Sequence, residues 1–346
     1  LQVAFTAQFD LPAIAYRAPT LWRYREAIPL PEGASPVSMG EGFTPLLPLR
    51  LAGREIWVKA DHLLPSGSYK DRGAAVLVSV AHALGVETVV EDSSGNAGAA
   101  IAAYGAHAGI ACRIYVPAST SSTKTAQITA YGAALERVSG SREDTAQAVL
   151  AAAAHAYYAS HVWNPFFLQG TKTFAYEVCE QLGWVAPDVV ILPVGNGTLL
   201  LGAYLGLCDL REAGLIEHLP RLIGVQAATC APLARAYARN ASQPAVVQHK
   251  PTMAEGIAIP SPARGAEILE AVGDTGGSIL AVKEADIKAA WRDMGRRGHY
   301  IEPTAAATIA GARRYLADLS SDVVVVTAFT GHGLKAGCKY PGSAAQ

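Results

Sequence analysis

Lys70 stands in the run Ser66-Gly67-Ser68-Tyr69-Lys70-Asp71-Arg72-Gly73, directly ahead of the apolar stretch Ala74 to Leu84. Small residues followed by an apolar stretch predict a tight turn feeding a helix, with the lysine amine at the turn. An amine held there can give up its charge and act as a nucleophile toward an aldehyde. A solvated lysine after a turn has the same local signature, so the other polar loops of the chain have to decide between the two.

Three loops bear on that choice. Pro193-Val194-Gly195-Asn196-Gly197-Thr198 follows an apolar run and opens a second one, Leu199 to Asp209. Glycines let successive backbone N–H groups of Gly195, Asn196, Gly197 and Thr198 converge, and a helix start adds positive potential, so the loop suits a phosphate. A plain strand–helix turn would look alike, and neither a dinucleotide fingerprint nor a Walker motif is present. Glu91-Asp92-Ser93-Ser94-Gly95-Asn96-Ala97-Gly98 is another strand-to-helix loop. Ser93, Ser94, Gly95 and Asn96 can clasp a substrate carboxylate, and Asn96 can bond a ring hydroxyl. N-capping by Ser93 or Ser94 would account for one serine of the cluster. Phe329-Thr330-Gly331-His332-Gly333-Leu334 ends a valine-rich run. Thr330 there can donate to a ring nitrogen and keep it uncharged, while His332 reads as a turn histidine. An aldehyde carrying a phosphate, a ring hydroxyl and a ring nitrogen is pyridoxal phosphate, and these segments suit it.

The elements that must hold these loops alternate. Short β runs at 56–59, 88–91, 111–116, 134–138, 188–192, 221–225 and 322–329 are separated by helical patterns at 74–84, 98–108, 123–131, 143–159, 171–182 and 199–209. Such alternation predicts an α/β fold with largely parallel sheets, whose ligands sit at the carboxyl ends of the strands. The first forty residues read as a proline-punctuated arm, lying either over the chain's own domain or across a neighbouring surface. The span 84–161 reads as a smaller, mobile, substrate-binding domain; residues 1–83 and 162–346 read as the larger, cofactor-anchoring one.

The chain has 346 residues, 51% of them hydrophobic, which is enough for two domains. A formal net charge of -1 and no basic block argue against a nucleic-acid surface. No apolar run reaches membrane-spanning length, and Leu1 to Phe5 carries no signal-peptide pattern. The five cysteines, Cys112, Cys179, Cys208, Cys230 and Cys338, form no close pair, and the nine histidines show no zinc-ligand spacing, so no metal is expected. A reducing cytoplasm is the expected location.

Read together, these segments resemble the tryptophan-synthase β family of pyridoxal-phosphate enzymes, fold type II, from about Gly40 to Leu334. Glu41 to Leu46 resembles the family's "EGNTPL", Ser66 to Gly73 its "SGSFKDRG", Glu302 to Ala306 its "EPSGA" and Thr330 to Lys335 its "TGHGLK". The resemblance implies two open, mostly parallel α/β/α domains with the cofactor in the crevice between them. It implies Lys70 as the Schiff-base lysine, Gly195 to Thr198 as the phosphate loop, and Ser93 to Gly98 as the loop for the substrate carboxylate and ring hydroxyl. Within the family the "TGHGLK" run and the length most resemble threonine synthase, which makes L-threonine and phosphate from O-phospho-L-homoserine and water. A homodimer and a small amino-acid substrate are expected with it. Two departures weaken the phosphorylated substrate. Ala97 stands where a threonine usually follows the asparagine, and Phe166-Phe167 stands in a segment that usually carries an arginine. Those positions, with Met253 to Ala258, resemble threonine or serine ammonia-lyases. A synthase would have to hold the second phosphate with other groups, such as Lys124, Ser94 or Lys172. Glu255 and Glu302 are candidates for ordering the site or a monovalent cation.

Overall fold

The computed structural model describes residues 3–248 and 250–336; Cys338 and the first two residues of the arm lie outside that range. The chain opens with helix α1 (Leu11–Tyr16) and a 3-10 turn (Leu21–Ala27), then strands β1 (Leu46–Leu51) and β2 (Arg54–Lys59). Next come α2 (Lys70–Ala83), β3 (Thr88–Glu91), α3 (Asn96–Ala108), β4 (Ala111–Pro117), α4 (Ser122–Ala130) and β5 (Ala134–Val138). They are followed by α5 (Arg142–Ala152), β6 (Tyr157–Tyr158), α6 (Pro165–Thr171), α7 (Thr173–Gln181), β7 (Val189–Pro193) and α8 (Thr198–Glu212). The last part holds β8 (Arg221–Ala227), α9 (Pro232–Tyr237), α10 (Gly265–Asp274), β9 (Ser278–Val282), α11 (Glu284–Arg296), α12 (Pro303–Leu316) and β10 (Val325–Ala328). Among the described residues no helix is long and apolar enough to cross a membrane.

Two compact units result. One comprises the residues up to Phe43 with Leu64–Thr173; the other comprises Thr44–Leu63 with the residues from Phe174 onward. The first carries a four-stranded sheet in the order β5-β4-β3-β6, parallel throughout. That sheet lies wholly within 84–161. Its alanine-rich helices approach the strands closely: a Cβ at Gly105 in α3 would lie 2.1 Å from Cys112 Sγ on β4. The arm belongs to this unit, with Leu21 and Tyr24 fully buried and Trp22 Nε1 donating to Glu41 Oε1 at 2.8 Å.

The second unit carries a six-stranded sheet in the order β1-β2-β10-β7-β8-β9, parallel except for the β1–β2 pair. Every residue of β7 and β10 is buried, as expected for central strands covered on both faces. Helix α12 packs on this sheet through Gly311, where a Cβ would lie 2.6 Å from Val225 Cγ2.

Three expectations change. The helix expected over 143–159 ends at Ala152, because Tyr157-Tyr158 pairs with Val89 and Val90 as β6. Two adjacent tyrosines gain more from a sheet edge than from extending an alanine helix. The helix expected over 171–182 is α7, starting at Thr173, and it is preceded by a helix that was not expected, α6, which ends at Thr171 with Lys172 between the two. Asn164 Oδ1 accepts from Phe166 N at 3.1 Å and Pro165 takes the first turn, so this Asn-Pro pair starts a helix. The irregular arm contains one short α-helix and one 3-10 turn.

Candidate functional site

In the first unit Lys70 is the first residue of α2. The turn before it is braced from both sides: Asp71 Oδ2 accepts from Ser66 N at 2.9 Å, and Gln127 of α4 donates Nε2 to Ser66 O at 2.8 Å. Gly67 takes a φ of +84°, which a side-chain-bearing residue adopts only with strain. The Lys70 ammonium lies 4.7 Å from the Tyr69 ring centre and 5.4 Å from that of Phe167. Phe167 is fully buried, and Gly73 makes room for it: a Cβ there would lie 2.4 Å from the ring.

The Ser93–Asn96 loop leaves the carboxyl end of β3 and opens α3. Gly95, not a serine, is the N-cap, and no side chain caps the helix. Ser93 Oγ instead accepts from Gly95 N at 3.3 Å. A Cβ at Gly98 would fall 1.9 Å from Ser93 O, so this tight turn requires glycine. Ser93, Ser94 and Asn96 are half-buried. Lys124 is exposed on α4, the helix that Gln127 ties to the Lys70 turn.

Sequence reasoning missed the partner of this loop's root. Glu91, the last residue of β3, lies 2.6 Å by Oε1 from His161 Nδ1, with both side chains withdrawn from solvent. Burial raises the Glu91 carboxyl well above its ordinary range, helped by Asp92 and opposed by Lys70. Burial likewise pushes the His161 imidazole well below its ordinary range, with the Lys70 and Arg142 charges adding to it. The Phe167 ring packs edge-on against His161 at 6.1 Å. Beside them Tyr158 donates to Asp92 Oδ1 at 2.9 Å. A glutamate ending a run of buried valines was the available signal, since a buried carboxyl needs a partner.

In the second unit the other predicted residues leave one edge of the large sheet. Thr327 of β10 is level with Ile191 of β7, so Thr330 and Gly195 emerge from adjacent parallel strands at their carboxyl ends. Gly197 has φ +74° and caps α8 without a side-chain bond; a Cβ there would meet Ile268 Cδ1 at 2.3 Å. A Cβ at Gly195 would meet Gly256 O at 2.8 Å, so the 3-10 turn Glu255–Ile257 walls the loop. Asn196 is half-buried and Thr198 buried at the first turn of α8. Thr330 is 2% exposed, and its Oγ1 has no hydrogen-bond partner among the described residues. Glu302, at the N-cap of α12, donates its N–H to Gly331 O at 2.9 Å, and a Cβ at Gly331 would lie 2.1 Å from its carboxylate.

His332 is not a free turn histidine. It is half-buried and stacks on His62, ring centres 5.8 Å apart. His62 also meets Phe329 edge-on at 5.4 Å, and burial, with His332 second, lowers its pKa to about 4. This stacked pair of imidazoles left no local signal because His62 and His332 are far apart in the chain.

The residues fit pyridoxal phosphate. An uncapped helix start behind a glycine turn, with no room for side chains at Gly195 or Gly197, accepts a phosphate. The orphaned, buried Thr330 hydroxyl asks for one polar partner, such as a ring nitrogen. Lys70, the first residue of α2, carries an amine of the kind an aldehyde cofactor needs.

Comparison with known proteins points the same way. The model of the family described as "Pyridoxal-phosphate dependent enzyme" matches residues 37–331. Threonine synthase of Methanocaldococcus jannaschii is 36% identical over 325 residues, covering 91% of this chain and 80% of that protein. Threonine synthase of Mycobacterium tuberculosis is 36% identical over 322 residues, covering 90% of this chain and 87% of the relative. Among solved structures, the processed form of threonine deaminase isoform 2 from Solanum lycopersicum superposes with a TM-score of 0.71 at 19% identity, covering 94% of this chain and 86% of that one. At that identity the likeness establishes the α/β fold alone.

Proposed function

The chain belongs to the pyridoxal-phosphate-dependent enzyme family, and on that premise we propose that it carries out elimination and replacement on a small amino acid, in the manner of threonine synthase. The substrate on this reading is O-phospho-L-homoserine, and the products are L-threonine and phosphate. The observation that carries it is the 36% identity to a threonine synthase across 91% of the chain.

Bound pyridoxal phosphate supplies an electron sink for the pair left when a proton leaves the substrate's α-carbon. The protein's own groups do the rest. Lys70 holds the cofactor through its amine and, once released, takes the α-proton at Nζ. The N–H groups of Gly195, Asn196 and Gly197, with Thr198, hold the cofactor phosphate. Thr330 faces the ring nitrogen with a neutral hydroxyl and so leaves that nitrogen uncharged, which restrains transamination. Asn96 takes the ring hydroxyl; Ser93, Ser94 and Gly95 hold the substrate carboxylate. Lys124 meets the substrate phosphate. The span 84–161 moves as the substrate-binding domain, and the enzyme works as a cytoplasmic homodimer.

One observation favours a second reading. Phe167 is buried against Lys70 at the segment where an arginine would serve a substrate phosphate. That apolar wall suits an unphosphorylated substrate, and so an L-threonine or L-serine ammonia-lyase. Steady-state assays separate the two. Phosphate and threonine formed from O-phosphohomoserine support the synthase. Release of 2-oxobutanoate from threonine or pyruvate from serine, with O-phosphohomoserine inert, supports the lyase.

A further inference from the structure

Outside the loops described so far, the second unit has a cleft of about 540 Å³ lined by Ala228, Thr229, Arg235, Gln248, Lys250, Lys283 and Glu284. It opens where β8 and β9 end, and Ala228 N is tied to Val282 O at 2.8 Å there. Three cations face one carboxylate. That carboxylate is already engaged, since Glu284 Oε2 accepts from Met253 N at 3.0 Å and Oε1 from Thr229 Oγ1 at 3.4 Å. Arg235, Lys250 and Lys283 have no ion pair among the described residues. Like charges around one cleft repel, and an anion of matching valence relieves that repulsion. The volume is that of a small-molecule site, too small for a folded partner.

The segments that line the cleft are tied to the glycine loop through buried Gln226, two residues before Ala228. Gln226, at the end of β8, accepts through Oε1 from Leu233 N at 2.9 Å and Ala234 N at 3.1 Å, the residues just before Arg235. Its Nε2 donates to Val194 O at 3.2 Å, immediately before Gly195. On the other side Glu284 holds Met253, and the chain runs on from there into the turn that walls Gly195.

We propose that this cleft is an effector site for a small polyanion, a metabolite bearing at least two phosphate or carboxylate groups, and that its occupancy tightens or loosens the glycine loop through Gln226 and Glu284. The proposal does not depend on which amino acid the enzyme converts.

The test titrates the cofactor-loaded enzyme calorimetrically with inorganic pyrophosphate and, separately, with citrate. Whichever probe binds more tightly identifies the headgroup chemistry. Saturable binding is expected, weakened about fivefold by Arg235→Gln or Lys283→Gln alone and more than tenfold by the two together. Both side chains are exposed, so the variants should fold as the parent does. The bound probe should also change the rate at which cofactor is lost on dilution, and the double variant should lose that response. Binding that survives the double substitution, no saturable binding of either probe at millimolar concentration, or binding without any effect on cofactor loss would each overturn the proposal.

Discussion

Glu91 Oε1 and His161 Nδ1 meet in a hydrogen bond 2.6 Å long, at the root of the serine–asparagine loop and out of reach of solvent. Glu91 Oε2 has no partner among the described residues, so an ionised carboxylate would be left with one unsolvated oxygen. With the carboxyl raised and the imidazole lowered, the pair carries one proton and no net charge.

That fixes a pH dependence. Unfolded, the groups titrate near 4.5 and 6.5; folded, the carboxyl keeps its proton and the imidazole refuses one. Between those values the folded and unfolded pairs each bind one proton, and stability is flat. Above 6.5 the unfolded pair binds none while the folded pair still holds one, so stability falls as pH rises toward the folded Glu91 value. Below 4.5 the unfolded pair binds two while the folded pair still holds one, so stability falls again toward acid until the folded His161 value is reached. Each limb has a slope of up to about 1.4 kcal/mol per pH unit. Asp92, Lys70 and Arg142 are the charged neighbours that modulate it. Glu91→Gln can still donate to His161 but cannot titrate, so chemical denaturation from pH 6 to 9 should show the alkaline limb shallower by that amount. Equal slopes in parent and variant would refute the neutral pair.

Borohydride reduction of the holoenzyme, followed by peptide mapping, should leave the cofactor fixed on Lys70. Lys70→Ala should bind cofactor only reversibly and give no reduced adduct. An adduct on Lys124 or Lys172 would reassign the amine.

Thr330→Val separates structure from function at one atom. Valine keeps the shape and removes a hydroxyl that has no partner among the described residues. Burying such a group costs about 1–3 kcal/mol, so the cofactor-free variant should be more stable than the parent. If Thr330 serves the ring nitrogen, the added stability conferred by cofactor should shrink. Thermal unfolding with and without pyridoxal phosphate reads both effects.

Much of this architecture is legible in the sequence because its signals are local. The turn before Lys70, the Gly195–Thr198 loop and the valine run ending at Thr330 each announce themselves within eight residues. What stayed hidden depends on pairings between distant positions. Glu91 and His161 are seventy residues apart, and His62 meets His332 only because β2 and β10 are parallel neighbours, Lys59 level with Ala328. Strand β6 was hidden for a similar reason: two tyrosines after an alanine helix become a strand only when Val89 and Val90 stand beside them.

Lys59 and Glu177 form an ion pair of 2.7 Å with both side chains fully buried, and Lys59 also donates to Gln181 Oε1 at 2.8 Å. Removing one partner strands the other charge, so Glu177→Leu should destabilise by about 3–5 kcal/mol. Lys59→Met combined with Glu177→Leu should recover most of that loss. Urea denaturation of the two singles and the double measures the coupling, and additive losses would show that the pair is not the unit of stability.

On the proposed synthase reading, Lys124 is the residue at which a contact to the substrate phosphate is tested. It is exposed on α4, a turn before the Gln127 that holds Ser66 O and so the Lys70 turn. An ammonium on that helix is one replacement this chain offers for the arginine absent at Phe166-Phe167. Lys124→Gln keeps the stem and removes the charge. With O-phosphohomoserine its KM should rise about tenfold, the worth of one charge-assisted hydrogen bond in a partly exposed site, while kcat changes little. With threonine or serine, which bear no phosphate, KM should stay at the parent value. An unchanged KM for O-phosphohomoserine would move the phosphate contact to Ser94 or Lys172. Lys172 is the less favourable of these, because its ammonium lies 5.4 Å from the Phe5 ring and its side chain is 1% exposed.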